Sequence, residues 1–285
     1  MLERIVAWAE SRPSVRAALL TGSRGSARGR TDALSDYDVA LFLSDERELA
    51  RDDGWLEAFG PILVRFDDEV MQRGRSVATR LVLYRDGRRI DFTLSSVDVL
   101  QGLREAGTLP GWLDAGYRVL VDKDGLMEGL PSPAGKAYVP ERPIEAAFQA
   151  VVNEFWWETT YVAKNLARGE LLPAKYSADC VIRARCLVPM LEWYVQVDRG
   201  WAQPVGVAGR GMAALLSDAD WADLAATLAG ADLEENWAAL FATTRLFGRV
   251  GRRVASDLGY AYPEALEAGV SDYLEAVRTT GGATS

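Results

Sequence analysis

The sequence predicts an α+β protein in two parts: a mixed β-sheet domain with flanking helices over residues 1–135, then an all-α bundle over residues 136–285. Three observations predict it. Short β-prone runs punctuated by glycine fill the first half, and Asp86-Gly87 joins two of them, 78–84 and 88–94, as a hairpin turn. Residues 129–143 hold four prolines and two glycines, a composition that breaks regular structure and reads as a linker. Beyond it, apolar residues recur at helical spacing in Ala- and Leu-rich segments.

Taken in order, Ile5, Val6, Trp8 and Ala9 pattern residues 2–11 as a helix that stops before Pro13. Ala17-Ala18-Leu19-Leu20 reads as a buried strand. Thr21-Gly22-Ser23-Arg24-Gly25-Ser26 follows. Gly22 lets the backbone turn without a Cβ clash, and Ser23 offers a hydroxyl and a backbone N–H at a helix start, where a phosphate can be held. After a polar loop carrying Arg28 and Arg30, a second strand places Asp36 and Asp38 on one face and Tyr37, Val39, Leu41 and Leu43 on the other. Adjacent carboxylates repel unless a cation sits between them, and hard Mg²⁺ prefers carboxylate oxygens together with substrate phosphates.

Residues 46–59 read as one or two short helices, broken by Gly60-Pro61. Residues 62–66 read as a short strand and 67–76 as a loop. In the return strand of the hairpin, Ile90, Phe92 and Leu94 share one face, and Arg89, Asp91 and Thr93 the other. An acid between Ile90 and Phe92 is costly to bury without a partner. Metal held by Asp36 and Asp38 would supply one, which makes Asp91 the third candidate carboxylate. Residues 97–105 read as a helix, 117–121 as a strand, and Asp122-Lys123-Asp124-Gly125 as a plain turn. Helices are expected over 144–168, from Pro173 to Tyr194 with an interruption at Pro189, and over 211–229, 233–258 and 263–278.

Composition narrows the function. The chain has 285 residues, 49% of them apolar, so a full core is available. A net charge of −9 argues against a nucleic-acid partner, which demands a basic patch, and suits a cationic small substrate. Histidine is absent, so Ser–His and Cys–His nucleophile systems are impossible. Acid–base chemistry must use carboxylates, Lys, Tyr or metal-bound water. Cys180 and Cys186, six apart, fit neither a zinc nor a CxxC pattern and are expected as buried thiols in a reducing cytosol. Met1-Leu2-Glu3-Arg4 lacks the features of a signal peptide, and no apolar run reaches membrane-spanning length. A cytoplasmic protein with no membrane partner, monomeric or weakly dimeric, is expected.

Several pieces line up with one family. Gly22-Ser23, Asp36-Tyr37-Asp38, Arg89-Ile90-Asp91-Phe92-Thr93-Leu94 and Val119-Leu120-Val121-Asp122-Lys123-Asp124-Gly125 resemble the aminoglycoside 6-adenylyltransferases (streptomycin adenylyltransferases) of the nucleotidyltransferase superfamily. The resemblance continues through Asn153-Glu154-Phe155-Trp156-Trp157-Glu158-Thr159-Thr160-Tyr161-Val162-Ala163-Lys164 and Leu172-Pro173-Ala174-Lys175-Tyr176. The last third matches only in being helical.

The resemblance implies a nucleotidyltransferase-type catalytic domain over 1–135 and a helical substrate-binding domain over 136–285. It implies transfer of AMP from ATP to a hydroxyl of a streptomycin-like aminoglycoside, with release of pyrophosphate and antibiotic resistance as the outcome. An in-line displacement of this kind uses two Mg²⁺ ions, about 3.5–4 Å apart. Asp36 and Asp38 would hold both, and Asp91 would complete the site nearer the attacking hydroxyl and act as general base. Gly22, Ser23 and Arg24 would meet the β- and γ-phosphates, and Lys175 resembles the lysine that related enzymes send across the cleft to the triphosphate. A polycationic substrate needs carboxylates and flat surfaces. Glu154 and Glu158 lie one helical turn apart, with Trp156, Trp157 and Tyr161 around them, and Asp179 shares a face with Lys175 and Tyr176. The alternative is a nucleotidyltransferase of the same fold with a different small-molecule or protein hydroxyl as acceptor.

Overall fold

The alternating segments of the first half pair into one sheet: β1 (Val15–Thr21), β2 (Tyr37–Leu43), β3 (Ile62–Gln72), β4 (Arg75–Tyr84), β5 (Arg89–Ser96) and β6 (Arg118–Asp122). Their spatial order is β3-β4-β5-β2-β1-β6. β2 and β5 run parallel and the other neighbours antiparallel, so the sheet is mixed as the sequence predicts. The structure is a computed structural model that describes residues 1–26, 31–72 and 74–281. The expected loop arginines Arg28 and Arg30 lie outside the described residues. The chain divides into two compact units, Met1–Ala137 and Tyr138–Ser285.

In the first unit the sheet is flanked by α1 (Leu2–Ser11), α2 (Gly22–Gly25), α3 (Glu46–Arg51), α4 (Asp98–Ala106) and α5 (Gly111–Asp114), with a 3₁₀ segment at Asp53–Phe59. One sheet face carries Ala18, Leu20, Val39, Leu41, Val82, Ile90 and Phe92, which pack against Ile5 and Trp8 of α1, Leu49 of α3, and Trp55 and Phe59. Trp55 joins the two sides, 5.0 Å from Trp8 and 4.9 Å from Phe92 between ring centres. Each large side chain buried in this way contributes roughly 1.5–3 kcal/mol. On the opposite face, Ala17, Leu19, Ala40 and Phe42 lie under Leu100 and Leu103 of α4 and Leu113 of α5. That cover sits at one end of the face, and Asp38 and Asp91 lie toward the other.

β3 departs from the sequence reading. The strand does not end at Phe66 but continues to Gln72, paired with β4 down to Gln72 opposite Arg75, and Gly74 turns the hairpin at a φ of 76°. The run of acids suggests a loop, yet the ladder bonds of an edge strand come from its neighbour rather than from its own composition. Charge is also matched locally: Arg65 sits 2.9 Å from Asp67 and 3.0 Å from Asp53.

The second unit is helical: α6 (Glu145–Ala167), α7 (Leu171–Lys175), a π-helical stretch at Tyr176–Leu187, α8 (Val188–Val197), α9 (Met212–Leu215), α10 (Asp218–Ala225), α11 (Leu233–Leu258) and α12 (Glu264–Gly281). One core holds Phe155, Trp156, Met190, Phe247 and Val250. Phe155 and Phe247 stack with centres 3.6 Å apart and planes within 3°. The expected break at Pro189 does not occur: the π-helical stretch passes directly into α8 with helical dihedrals at Leu187 and Val188, and the proline falls two residues after the π-helical stretch ends. Cys186 is buried, with its thiol pushed up to about 12 by burial first and by Glu154 after it. Cys180 is exposed, contrary to the sequence reading, because positions six apart on a helix point about 120° apart and only Cys186 faces the core. Among the described residues no helix is long and apolar enough to cross a membrane.

Candidate active site

The carboxylates meet through strand register. Asp38 on β2 lies directly beside Asp91 on β5, and Thr21, the last residue of β1, lies on the other side of Asp38. The apolar alternation of both strands forces this outcome. Once Val39 and Leu41, and Ile90 and Phe92, are committed to the core, Asp38 and Asp91 must share the opposite face. Asp91 Oδ1 is sealed from solvent and, among the described residues, has no hydrogen-bond partner. Its carboxyl is raised to about 6, by burial first, then by the charges of Asp38 and Asp36, with Arg89 opposing. A buried oxygen without a partner beside a second carboxylate is the environment a divalent cation relieves, so this pair fits Mg²⁺.

Asp36 behaves differently. It precedes β2 rather than lying in it, and its Oδ2 is 3.6 Å from Arg89 Nη1. It is close enough to raise Asp91, but among the described residues no group of three acid, cysteine or histidine side chains is already gathered as a metal cage.

The turn after β1 is built around Asp38. Gly22 has a φ of 60°, and a Cβ placed there would stand 2.0 Å from Asp38 Oδ2, a separation no side chain tolerates. Gly25 is equally constrained, since a Cβ there would meet the Leu20 carbonyl oxygen at 2.3 Å. Ser23 sits within this single helical turn. Arg24, expected as a phosphate ligand, is otherwise engaged. Its guanidinium donates to the carbonyls of Asp32, Ser35 and Asp36 at 2.9–3.1 Å and lies over the Tyr37 ring at 4.3 Å. It clamps the loop that delivers Asp36 and Asp38. A shallow cleft of about 240 Å³ beside the turn is lined by Gly25, Ser26, Asp114, Gly116 and Tyr117. A larger cavity of about 470 Å³, lined by Glu69, Gln72, Leu94 and Asp98, opens toward the other end of β5 and holds none of these carboxylates.

In the second unit, Glu154 pairs with Arg185 at 2.8 Å, whereas Glu158, half-buried, has no hydrogen bond or ion pair among the described residues. Trp156, expected at the substrate, is wholly buried and donates from Nε1 to the Tyr262 hydroxyl at 3.3 Å, so it is a core residue. Trp157 is the exposed member of the pair, 5.9 Å from Tyr161. Lys175 and Asp179, assigned to different ligands on sequence grounds, face each other at 2.8 Å. Lys175 also donates to the Ala229 carbonyl, and Asp179 lies 3.4 Å from Arg183.

Comparison with known proteins decides what this arrangement belongs to. The family model for streptomycin adenylyltransferase matches residues 1–277. This chain belongs to the streptomycin adenylyltransferase family. Among its relatives are aminoglycoside 6-adenylyltransferases from Bacillus subtilis (strain 168), 29% identical over 97% of this chain and 96% of the relative, and from Campylobacter jejuni, 29% identical over 91% and 88%. A solved aminoglycoside 6-adenyltransferase from Bacillus subtilis aligns with 98% of this chain and 97% of its own, at 25% identity and a TM-score of 0.48. Membership makes the chain a nucleotidyl-transferring enzyme. For this adenylyltransferase family member, sequence reasoning overlooked Arg89 as the cation that holds Asp36. The signal was present, as Arg89 stands two residues before Asp91 on the same strand face.

Proposed function

We propose that the protein transfers AMP from ATP to a hydroxyl of a streptomycin-like aminoglycoside, with magnesium; relatives named aminoglycoside 6-adenylyltransferase support the adenylyl transfer and the class of acceptor. The observation that carries this reading is the Asp91 oxygen, without a hydrogen-bond partner among the described residues and in register with Asp38, beside a turn where a side chain at Gly22 would displace the Asp38 carboxylate. Asp91 is the carboxylate placed to accept the proton of the acceptor hydroxyl, since no histidine exists to do so. The hydroxyl oxygen forms a bond to the α-phosphorus as the bond to the pyrophosphate oxygen breaks, and pyrophosphate leaves in line. Asp38 and Asp91, with Asp36, would hold Mg²⁺, which when bound supplies positive charge against the carboxylates and the phosphate oxygens. Gly22 keeps the backbone of the turn close against Asp38, and its N–H groups and Ser23 are the donors offered to the phosphate chain. Arg24 fixes the loop through its carbonyl bonds, and Arg89 restrains the Asp36 carboxylate.

The experiment is direct. The full chain is incubated with ATP, Mg²⁺ and streptomycin, and the drug is weighed by mass spectrometry. A gain of one adenylyl group, together with pyrophosphate release, is expected. No adduct on streptomycin or on any of a panel of other aminocyclitols would rule the reading out.

A further inference from the structure

The catalytic pair is part of a longer row. Register continues from Asp91 to Leu81 on β4 and from Leu81 to Phe66 on β3, so Thr21, Asp38, Asp91, Leu81 and Phe66 stand side by side on one sheet face. Val64 and Leu83 form the next pair along the two outer strands on the same face. Phe66 is 64% exposed and Val64 56%, on an edge strand that also exposes Leu63 and Met71. An aromatic left in water beside a catalytic centre calls for an occupant.

Charge on this strand is divided by face. Asp67 points to the opposite side, where it is held by Arg65 and Arg80. Asp68 shares the face of Phe66, and its carboxylate accepts the N–H of Glu69; among the described residues it has no cationic partner. An exposed ring and an unneutralised carboxylate on adjacent positions of one face are complementary to a molecule with sugar-like rings and ammonium or guanidinium groups.

In-line geometry fixes which substrate belongs there. The glycine turn that would take the phosphate chain follows β1, on the far side of Asp38 from Asp91. Pyrophosphate therefore leaves toward β1, and the entering hydroxyl must come from the β5 side. With neighbouring strands about 4.8 Å apart, Phe66 stands about 10 Å beyond Asp91 in that direction, within reach of a multi-ring acceptor. We propose that Phe66, Leu81 and Asp68 form the acceptor shelf: the rings of the cationic acceptor lie on Phe66 and Leu81, and one of its cationic groups pairs with Asp68. The assignment rests on the adenylyl-transfer reading above.

The test is steady-state kinetics of the full chain with streptomycin and ATP, for wild type, Phe66→Ala, Phe66→Trp and Asp68→Asn. Both positions of change are exposed and outside the core, and melting temperature serves as the control for folding. Phe66→Ala and Asp68→Asn should each raise the acceptor KM about tenfold, with kcat and the KM for ATP within about twofold of wild type. Phe66→Trp should keep the wild-type acceptor KM. An unchanged acceptor KM in Phe66→Ala and Asp68→Asn, with wild-type turnover intact, overturns the shelf and leaves adenylyl transfer standing. That result accompanied by loss of a dimer on sedimentation would assign Phe66 to contact with a second copy instead. Absence of AMP transfer by the wild type overturns both readings together.

Discussion

Asp91 is costly to the free protein, because it is an acid held in an apolar strand beside two others of the same charge. Its carboxyl stands near 6 in the fold against about 3.9 in an unfolded chain. The sign follows. A group whose folded value is raised adds its full stability below the unfolded value and loses it as pH climbs through the folded one. In a chelator, wild type should therefore lose melting temperature relative to Asp91→Asn between about pH 4 and pH 6, and Mg²⁺ at neutral pH should restore much of the difference. A thermal melt series across that window, with and without Mg²⁺, checks both. The same substitution should lower kcat by about 10²–10⁴-fold, the range carried by a positioned proton acceptor. Gly22 is the other residue with no freedom. Gly22→Ala must adopt a left-handed backbone and push Asp38 aside, so kcat/KM should fall at least about 100-fold while the melting temperature changes far less.

At the scale of elements, the loop before β2 depends on one side chain. Arg24 donates to the carbonyls of Asp32, Ser35 and Asp36 and lies over Tyr37, a geometry only a planar fork supplies. Arg24→Lys should leave the KM for ATP within about threefold and lower kcat about 10–100-fold, since displaced carboxylates cost rate rather than nucleotide affinity. Faster amide exchange over residues 31–36 is the accompanying signature. A phosphate-binding arginine would give the opposite split, with the ATP KM rising. The edge strand β3 makes a related point. Its length is set by β4, and it leaves Phe66, opposite Leu81, 64% exposed.

For the molecule as a whole, two units of different construction each carry their own core. The helical unit depends on the Phe155–Phe247 stack, so Phe155→Ala should lower stability by about 3–5 kcal/mol. That loss is readable as a shift in the urea midpoint of far-UV circular dichroism. The sequence by itself determined the class of both units, the turn at Gly22, and the facing of Asp38 and Asp91. These follow from periods of two and 3.6 and from glycine, all of which are written locally along the chain. It also determined that no histidine takes part. Only the tertiary structure decided which charges were already spoken for: Arg24 by backbone carbonyls, Asp36 by Arg89, Lys175 by Asp179. It likewise sent Trp156 into the core and left Trp157 outside, a choice helical spacing alone left open. The reason is physical: alternation fixes the side of an element a residue faces, while ion pairs, burial and the reach of an edge strand depend on neighbours distant in sequence.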